Sequence, residues 1–127
     1  GSGTDHVCAF WDLLPTFCDV AGAVPPDDTD GFSILPTLRG KPEYQRRHGY
    51  LYWEFHEQGK KQAVRMGRWK GVRLNVAKDP NGPIELYDLQ TDLGETVNLA
   101  DEYPEIVTQI AALMKAAHRP SEDWPFP

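Results

Sequence analysis

Four short segments between Tyr50 and Leu89 alternate apolar and polar residues with a period of two, and the links between them are too short to carry a crossover. Four consecutive strands with such short links suggest a meander. In 50–56, Tyr-Leu-Tyr-Trp-Glu-Phe-His, Leu51, Trp53 and Phe55 share one face, and Tyr50, Tyr52, Glu54 and His56 share the other. The face carrying Trp53 is expected to be core. Residues 62–66 and 69–76 meet through Gly67-Arg68, a Gly-X pair suited to a two-residue type II′ turn. Asp79-Pro-Asn-Gly-Pro83 then turns the chain into a fourth strand over about 85–89.

A sheet with one apolar face needs a cover. Pro104 stands at a first helical position, and Ile106, Val107, Ile110, Leu113, Met114 and Ala117 follow at three- and four-residue spacing. That pattern predicts an amphipathic helix over 104–118 lying on the sheet. Upstream, Asp12-Leu-Leu-Pro-Thr16 and Ser33-Ile-Leu-Pro-Thr37 share one punctuation: a capping side chain, an early proline and a later glycine stop at Gly22 or Gly40. They predict helices over 12–21 and 33–39, with Asp12 and Ser33 as N-caps. The fold class is therefore α+β: a four-stranded antiparallel sheet packed on a C-terminal helix, with short N-terminal helices. Residues 5–45 read as a helical connector and 46–127 as sheet plus helix, while Gly1-Ser-Gly-Thr4 reads as a cloning scar. The tail 119–127 is too rich in proline to be helical, and Trp124 and Phe126 are placed to pin it to the sheet edge.

The formal charge of −6 argues against a nucleic-acid partner. Its distribution is uneven. Eleven of the thirteen basic residues lie between Arg39 and Lys78 with only three acids, so that window carries +8 and the remainder −14. Two readings stay open: charged strands guarding a sheet edge, or a surface that favours anions such as a sulfated sugar. No run of about eighteen apolar residues exists, so no membrane span is expected. Two cysteines supply neither a four-cysteine zinc site nor a disulfide framework, and helical placement would make Cys18 an ordinary buried thiol.

For chemistry, His56-Glu57 is the leading polar pair, because it sits where the first strand gives way to a turn, and binding residues concentrate on loops held by rigid elements. Histidine there can donate to a sugar hydroxyl or pair with a sulfate. Arg65 is a third candidate substrate contact, with cross-strand pairing to Glu54 or Glu57 as its alternative. No catalytic residue and no metal ligand are expected. Asp28-Thr-Asp30-Gly31 has the look of a calcium loop, but with Gly31 sixth, Pro26 and Thr37 fall where carboxylates are needed. The four histidines have no zinc-ligand spacing.

Residues 84–100, Ile-Glu-Leu-Tyr-Asp-Leu-Gln-Thr-Asp-Leu-Gly-Glu-Thr-Val-Asn-Leu-Ala, form a strand, an acidic turn and the approach to a helix, with Glu95 and Asn98 set to bond backbone groups as the turn closes. This segment resembles a signature near the carboxyl end of formylglycine-dependent sulfatases. Phe10–Gly22, Asp30–Gly40 and Tyr50–Glu57 with Ala63–Lys70 are similar to further sulfatase segments in the same order, so the resemblance runs from about Val7 to the end. It implies the C-terminal subdomain of an enzyme that hydrolyses sulfate esters, cut from a catalytic N-terminal domain that would be its partner. A sulfated small molecule or glycan would be the substrate, and the setting periplasmic or secreted. It also implies calcium and formylglycine in the parent, none of it here, because the family's Cys-x-Pro-x-Arg segment is absent: Cys8 precedes Ala-Phe-Trp and Cys18 precedes Asp-Val-Ala. Trp11, Leu14, Phe17 and Cys18 would then leave an apolar patch, with weak self-association as one outcome. The rival expectation is a free-standing carbohydrate-binding or interaction module stacking sugars on Tyr50, Tyr52 and Trp53.

Overall fold

Gly67 adopts φ 59° while Arg68 stays out of the left-handed region, as a type II′ turn requires, and the sheet grows outward from that turn. Its strands are β1 (Leu51–Phe55), β2 (Lys61–Met66), β3 (Trp69–Arg73) and β4 (Ile84–Asp88), in spatial order β1-β2-β3-β4 with every pair antiparallel. The helix α3 (Pro104–Ala117) covers one face. The α+β meander expected from the alternation is therefore the observed fold. The computed structural model describes residues 3–127; Gly1 and Ser2, half of the expected scar, lie outside the described residues. The chain forms two units, one ending at His48 and one running from Gly49 to Pro127.

In the second unit the core is Val64, Ile84, Leu86, Ile110 and Met114, none more than 6% exposed. Register decides which strand residues join it. Val64 faces Tyr52 on β1 and Gly71 on β3, and Gly71 faces Leu86, so this row lies under α3. Trp53 sits in the alternate row, opposite Ala63, on the sheet face away from the helix. The expected core face of β1 is thus reversed: Leu51 is buried, but Trp53 and Phe55 are 37% and 47% exposed, while Tyr50 and Tyr52 pack on the core. The period was correct and the side was not, because a tyrosine ring buries as readily as Trp or Phe once its hydroxyl has partners, and Tyr52 has Glu54 and Gln62. Trp53→Ala should accordingly cost about 1–2 kcal/mol in a urea titration, well short of the ~3–5 kcal/mol of a fully buried large aromatic ring.

The segment after β3 also departs from expectation. β3 ends at Arg73 rather than 76 because Asn75 takes φ 54°, a left-handed conformation that asparagine tolerates. Beyond β4, Asn98 Oδ1 accepts from the amides of Leu86 and Ala100 at 3.0 Å, and the Leu99 amide donates to the Leu86 carbonyl at 2.8 Å. The outward amide and carbonyl of Leu86, at the centre of the β4 edge, are thereby satisfied. Glu95 does not share this task; it pairs with Lys70, and Asp92 instead accepts from the Thr96 and Val97 amides.

In the first unit, α1 spans Leu13–Ala21 and α2 only Leu35–Leu38. Gly22 and Gly40 close them at φ 68° and 70°. Neither expected cap acts as one. Ser33 Oγ accepts from the Leu35 amide, but the N-cap position is Ile34. Asp12 stands at the N-cap position of α1 but is 1% exposed and makes no cap bond to that helix; its carboxylate accepts from the amides of Ala9 and Phe32 and contacts His48 Nε2, at 2.7, 2.8 and 2.8 Å. His48 stacks on the Phe32 ring with centroids 4.4 Å apart, and the Arg46 guanidinium caps that ring at 3.6 Å. Phe10, Leu14, Phe17 and Val20 remain 49–85% exposed, an apolar stripe along α1. Cys18 is only partly buried and Cys8 is exposed.

Candidate functional site

The turn between β1 and β2 is built under strain. Gln58, Gly59 and Lys60 take φ of 52°, 84° and 60° in succession, and each non-glycine residue there costs on the order of 1–3 kcal/mol. The loop after β3 holds them: the Val76 amide donates to the Lys60 carbonyl and the Ala77 amide to the Gly59 carbonyl, both at 3.0 Å. A Cβ on Gly59 would come within 2.9 Å of Asn75 Oδ1. Gly59→Val should therefore cost roughly 2–3 kcal/mol, from strain plus that clash. Thermal unfolding followed by circular dichroism would register it.

His56 opens this turn and Glu57 follows it, exposed. His56 Nε2 lies 3.9 Å from Glu54 Oε2, and His118, just past the end of α3, places Nδ1 2.6 Å from Glu54 Oε1. Behind Glu54 the Tyr52 hydroxyl donates to the same carboxylate and accepts from Gln62 Nε2 at 2.9 Å, while Arg73 donates to Gln62 Oε1 at 3.1 Å. Burial, reinforced by the Glu54 carboxylate, pushes the Tyr52 phenol well above its ordinary range. Burial likewise lowers Arg73, although it remains a cation at any physiological pH. The arrangement supplies imidazole and carboxylate groups that can hydrogen-bond a ligand.

The tail completes the surroundings of His56. Trp124 and Phe126 make T-shaped ring contacts with the imidazole at centroid distances of 5.8 and 5.2 Å, and Lys60 Nζ donates to the Pro125 carbonyl. The expected pinning of the tail by these two aromatics is what the structure shows. Arg65 is elsewhere: it lies opposite Leu51, at the far end of β1, and its Nε points to the Gly67 carbonyl at 3.4 Å. It pairs with neither Glu54 nor Glu57, because Glu54 belongs to the alternate sheet face. Lys60, His118, Trp124 and Phe126 were not singled out as site residues, and only the aromatic-proline alternation of the tail hinted at two of them.

The basic window is not a uniform anion surface. Arg68 forks onto Asp88, Lys70 pairs with Glu95, and Arg73 is taken up by Gln62 and the Gly82 carbonyl. Among the described residues no three His, Cys, Asp or Glu side chains are grouped to hold a metal ion, and no helix is long and apolar enough to cross a membrane.

Comparison with known proteins gives a consistent picture. The family model described as N-sulphoglucosamine sulphohydrolase, C-terminal, matches residues 1–119. A Delta 4,5-hexuronate-2-O-sulfatase of Bacteroides thetaiotaomicron is 37% identical over 107 residues, covering 81% of this chain and 22% of that protein. Arylsulfatase K of Mus musculus is 30% identical over 108 residues, covering 79% and 19%. A crystal structure of a putative sulfatase from Bacteroides thetaiotaomicron superposes with a TM-score of 0.70 at 37% identity, over 83% of this chain and 23% of the other. The chain thus spans about a fifth of the length of the curated relatives it matches.

Proposed function

Since the chain belongs to the C-terminal N-sulphoglucosamine sulphohydrolase family, and is a sulfatase C-terminal subdomain, we propose that the longer enzyme hydrolyses sulfate esters of carbohydrates and that this subdomain supplies scaffold and substrate rim. The observation that carries this reading is a family match through residue 119 in a chain that covers about a fifth of its relatives. Formylglycine and calcium belong to the remainder of such an enzyme. Cys8 and Cys18 lack the Cys-x-Pro-x-Arg context, and the described residues offer no three-ligand group.

Within this reading the first unit is the connector, and the stripe of Phe10, Leu14, Phe17 and Val20 is the face that docks on the catalytic body. The strained turn holds His56 and Glu57 toward the substrate's sugar, by hydrogen bonding rather than by reaction. Arg65, on the other sheet face, takes no part in that contact. The free-standing module is disfavoured, because Tyr50 and Tyr52, two of the three stacking residues, pack on the core.

Two assays test the proposal. The 127-residue chain should release no sulfate from an aryl sulfate; turnover above blank would mean that reacting groups reside here. In the longer enzyme, His56→Ala should raise KM severalfold for a sulfated disaccharide with little change in kcat, as expected for lost ground-state and transition-state binding alike. An unchanged KM would remove His56 from the rim.

A further inference from the structure

The tail lies beyond the family match, which ends at residue 119, yet it returns to the one turn that carries the candidate rim. Five contacts bring it there. Trp124 and Phe126 meet the His56 ring in T-shaped contacts, Phe126 also approaches His118 at 6.0 Å, and Lys60 both donates to the Pro125 carbonyl and lies 5.6 Å from the Phe126 ring centre. The Trp124 amide is held by Ser121 Oγ at 3.2 Å, which fixes the bend before the aromatic pair. Exposure decides between a lid and a wall. The His56 side chain keeps 28% of its surface open and Trp124 keeps 67%, so the tail flanks the imidazole without sealing it.

We propose that residues 121–127 complete a sugar-binding subsite at the β1–β2 turn, with the Trp124 ring as stacking platform, His56 as hydrogen-bonding group and the Lys60 ammonium as contact for one anionic substituent. This deepens the rim reading and rests on it. An exposed indole face takes the apolar C–H face of a pyranose ring. An ammonium has three N–H donors, of which one goes to Pro125, so the others can meet a sulfate or carboxylate on that ring. The acidic groups around it set the ligand class. Glu57, Glu122 and Asp123 lie in the same turn and tail segments as Lys60, Lys61, His118 and Arg119, and Glu54 is engaged by His118. Such a balance repels a dense polyanion and suits a short sugar with one or two charges. Affinity should therefore depend on the ring and only weakly on salt.

The test is a titration of the 127-residue chain with an unsaturated 2-O-sulfated hexuronate disaccharide, followed by the NMR signals of the Trp124 indole N–H and the His56 ring. Both should shift together and saturate, with affinity changing less than about threefold on raising the salt from low to physiological. Trp124→Ala and deletion of 120–127 should each weaken binding roughly two- to tenfold, the scale of one aromatic contact, and Trp124→Phe should retain most of it. Unshifted signals at saturating sugar would overturn the subsite, as would a deletion that leaves affinity unchanged. A deletion that tightens binding would equally overturn it, by making the tail a cover. These readouts need no sulfate release. A longer enzyme that cleaves sulfate while its Trp124 signal stays unmoved would sink the subsite alone and leave the enzyme reading standing.

Discussion

Gly71→Val should cost the sheet unit about 3 kcal/mol, at the upper end of what overpacking a core does. Gly71 lies in the middle of β3 with its α-carbon facing α3, and a Cβ there would fall 2.5 Å from Ile110 Cγ2 and 3.2 Å from Ile84 Cγ2. Both neighbours are β-branched and buried, so neither has a spare rotamer to retreat into. The helix must lift or the strand must bow. For a unit of this size the loss corresponds to a fall in Tm of roughly 12–24 °C. The pairwise origin can be checked by a double-mutant cycle. Ile110→Ala alone should cost about 2–5 kcal/mol, and the double variant should be clearly more stable than the sum of the two losses predicts. Strict additivity would mean that Gly71 and Ile110 do not meet.

Asp12→Ala should be the most damaging change in the first unit, at about 3 kcal/mol or more. The carboxylate is the common acceptor for two amides from distant points of the chain and for His48, and removing it strands these donors away from water. A unit this small has little reserve. Asp12→Asn keeps one acceptor oxygen and should fall between wild type and alanine. The same contacts fix a pH dependence. Burial pushes the Asp12 pKa up, but the donors from Ala9, Phe32 and His48 outweigh it and leave the group below its ordinary value. A folded pKa below the unfolded one, about 3.9, means that Asp12 contributes its full stabilisation above that value and loses it as pH falls through the folded pKa. Amide exchange at Phe32, compared at pH 6 and pH 3, should show protection dropping in wild type and little further change in Asp12→Asn.

The legibility of this chain follows the range over which each residue's role is decided. Gly67-Arg68 specifies its turn by itself, and the 104–118 stripe specifies its helix, so both are read correctly from local pattern. The face of β1 is not decided within β1. Trp53 and Tyr52 are equally good strand residues, and the choice falls to Val64, Gly71 and Leu86, which carry Tyr52 under the helix through register. Asp12 illustrates the same limit. Its neighbours spell a helix cap, but its partners Phe32 and His48 are 20 and 36 residues away, and no local rule brings them to it. His56 and Glu57 are legible as a strand-end pair, whereas Lys60, His118 and Trp124 join them only through the tail and the end of α3. Arg65 is excluded from the group by alternation, a fact available from the strand pattern once the two faces are distinguished.

Because each strand of the meander pairs only with its predecessor and successor, through the loops 56–60, 67–68 and 74–83, its topology also carries a kinetic consequence. Closing loops of this length takes on the order of 10–100 ns and little configurational entropy, so the hairpins can assemble in succession without waiting for remote segments. Helix α3 comes last in the chain and docks on a surface whose register is already chosen. A subdomain that emerges at the end of a long polypeptide can in this way acquire its shape quickly and by itself, leaving a brief interval in which an unpaired strand edge is open to a wrong neighbour.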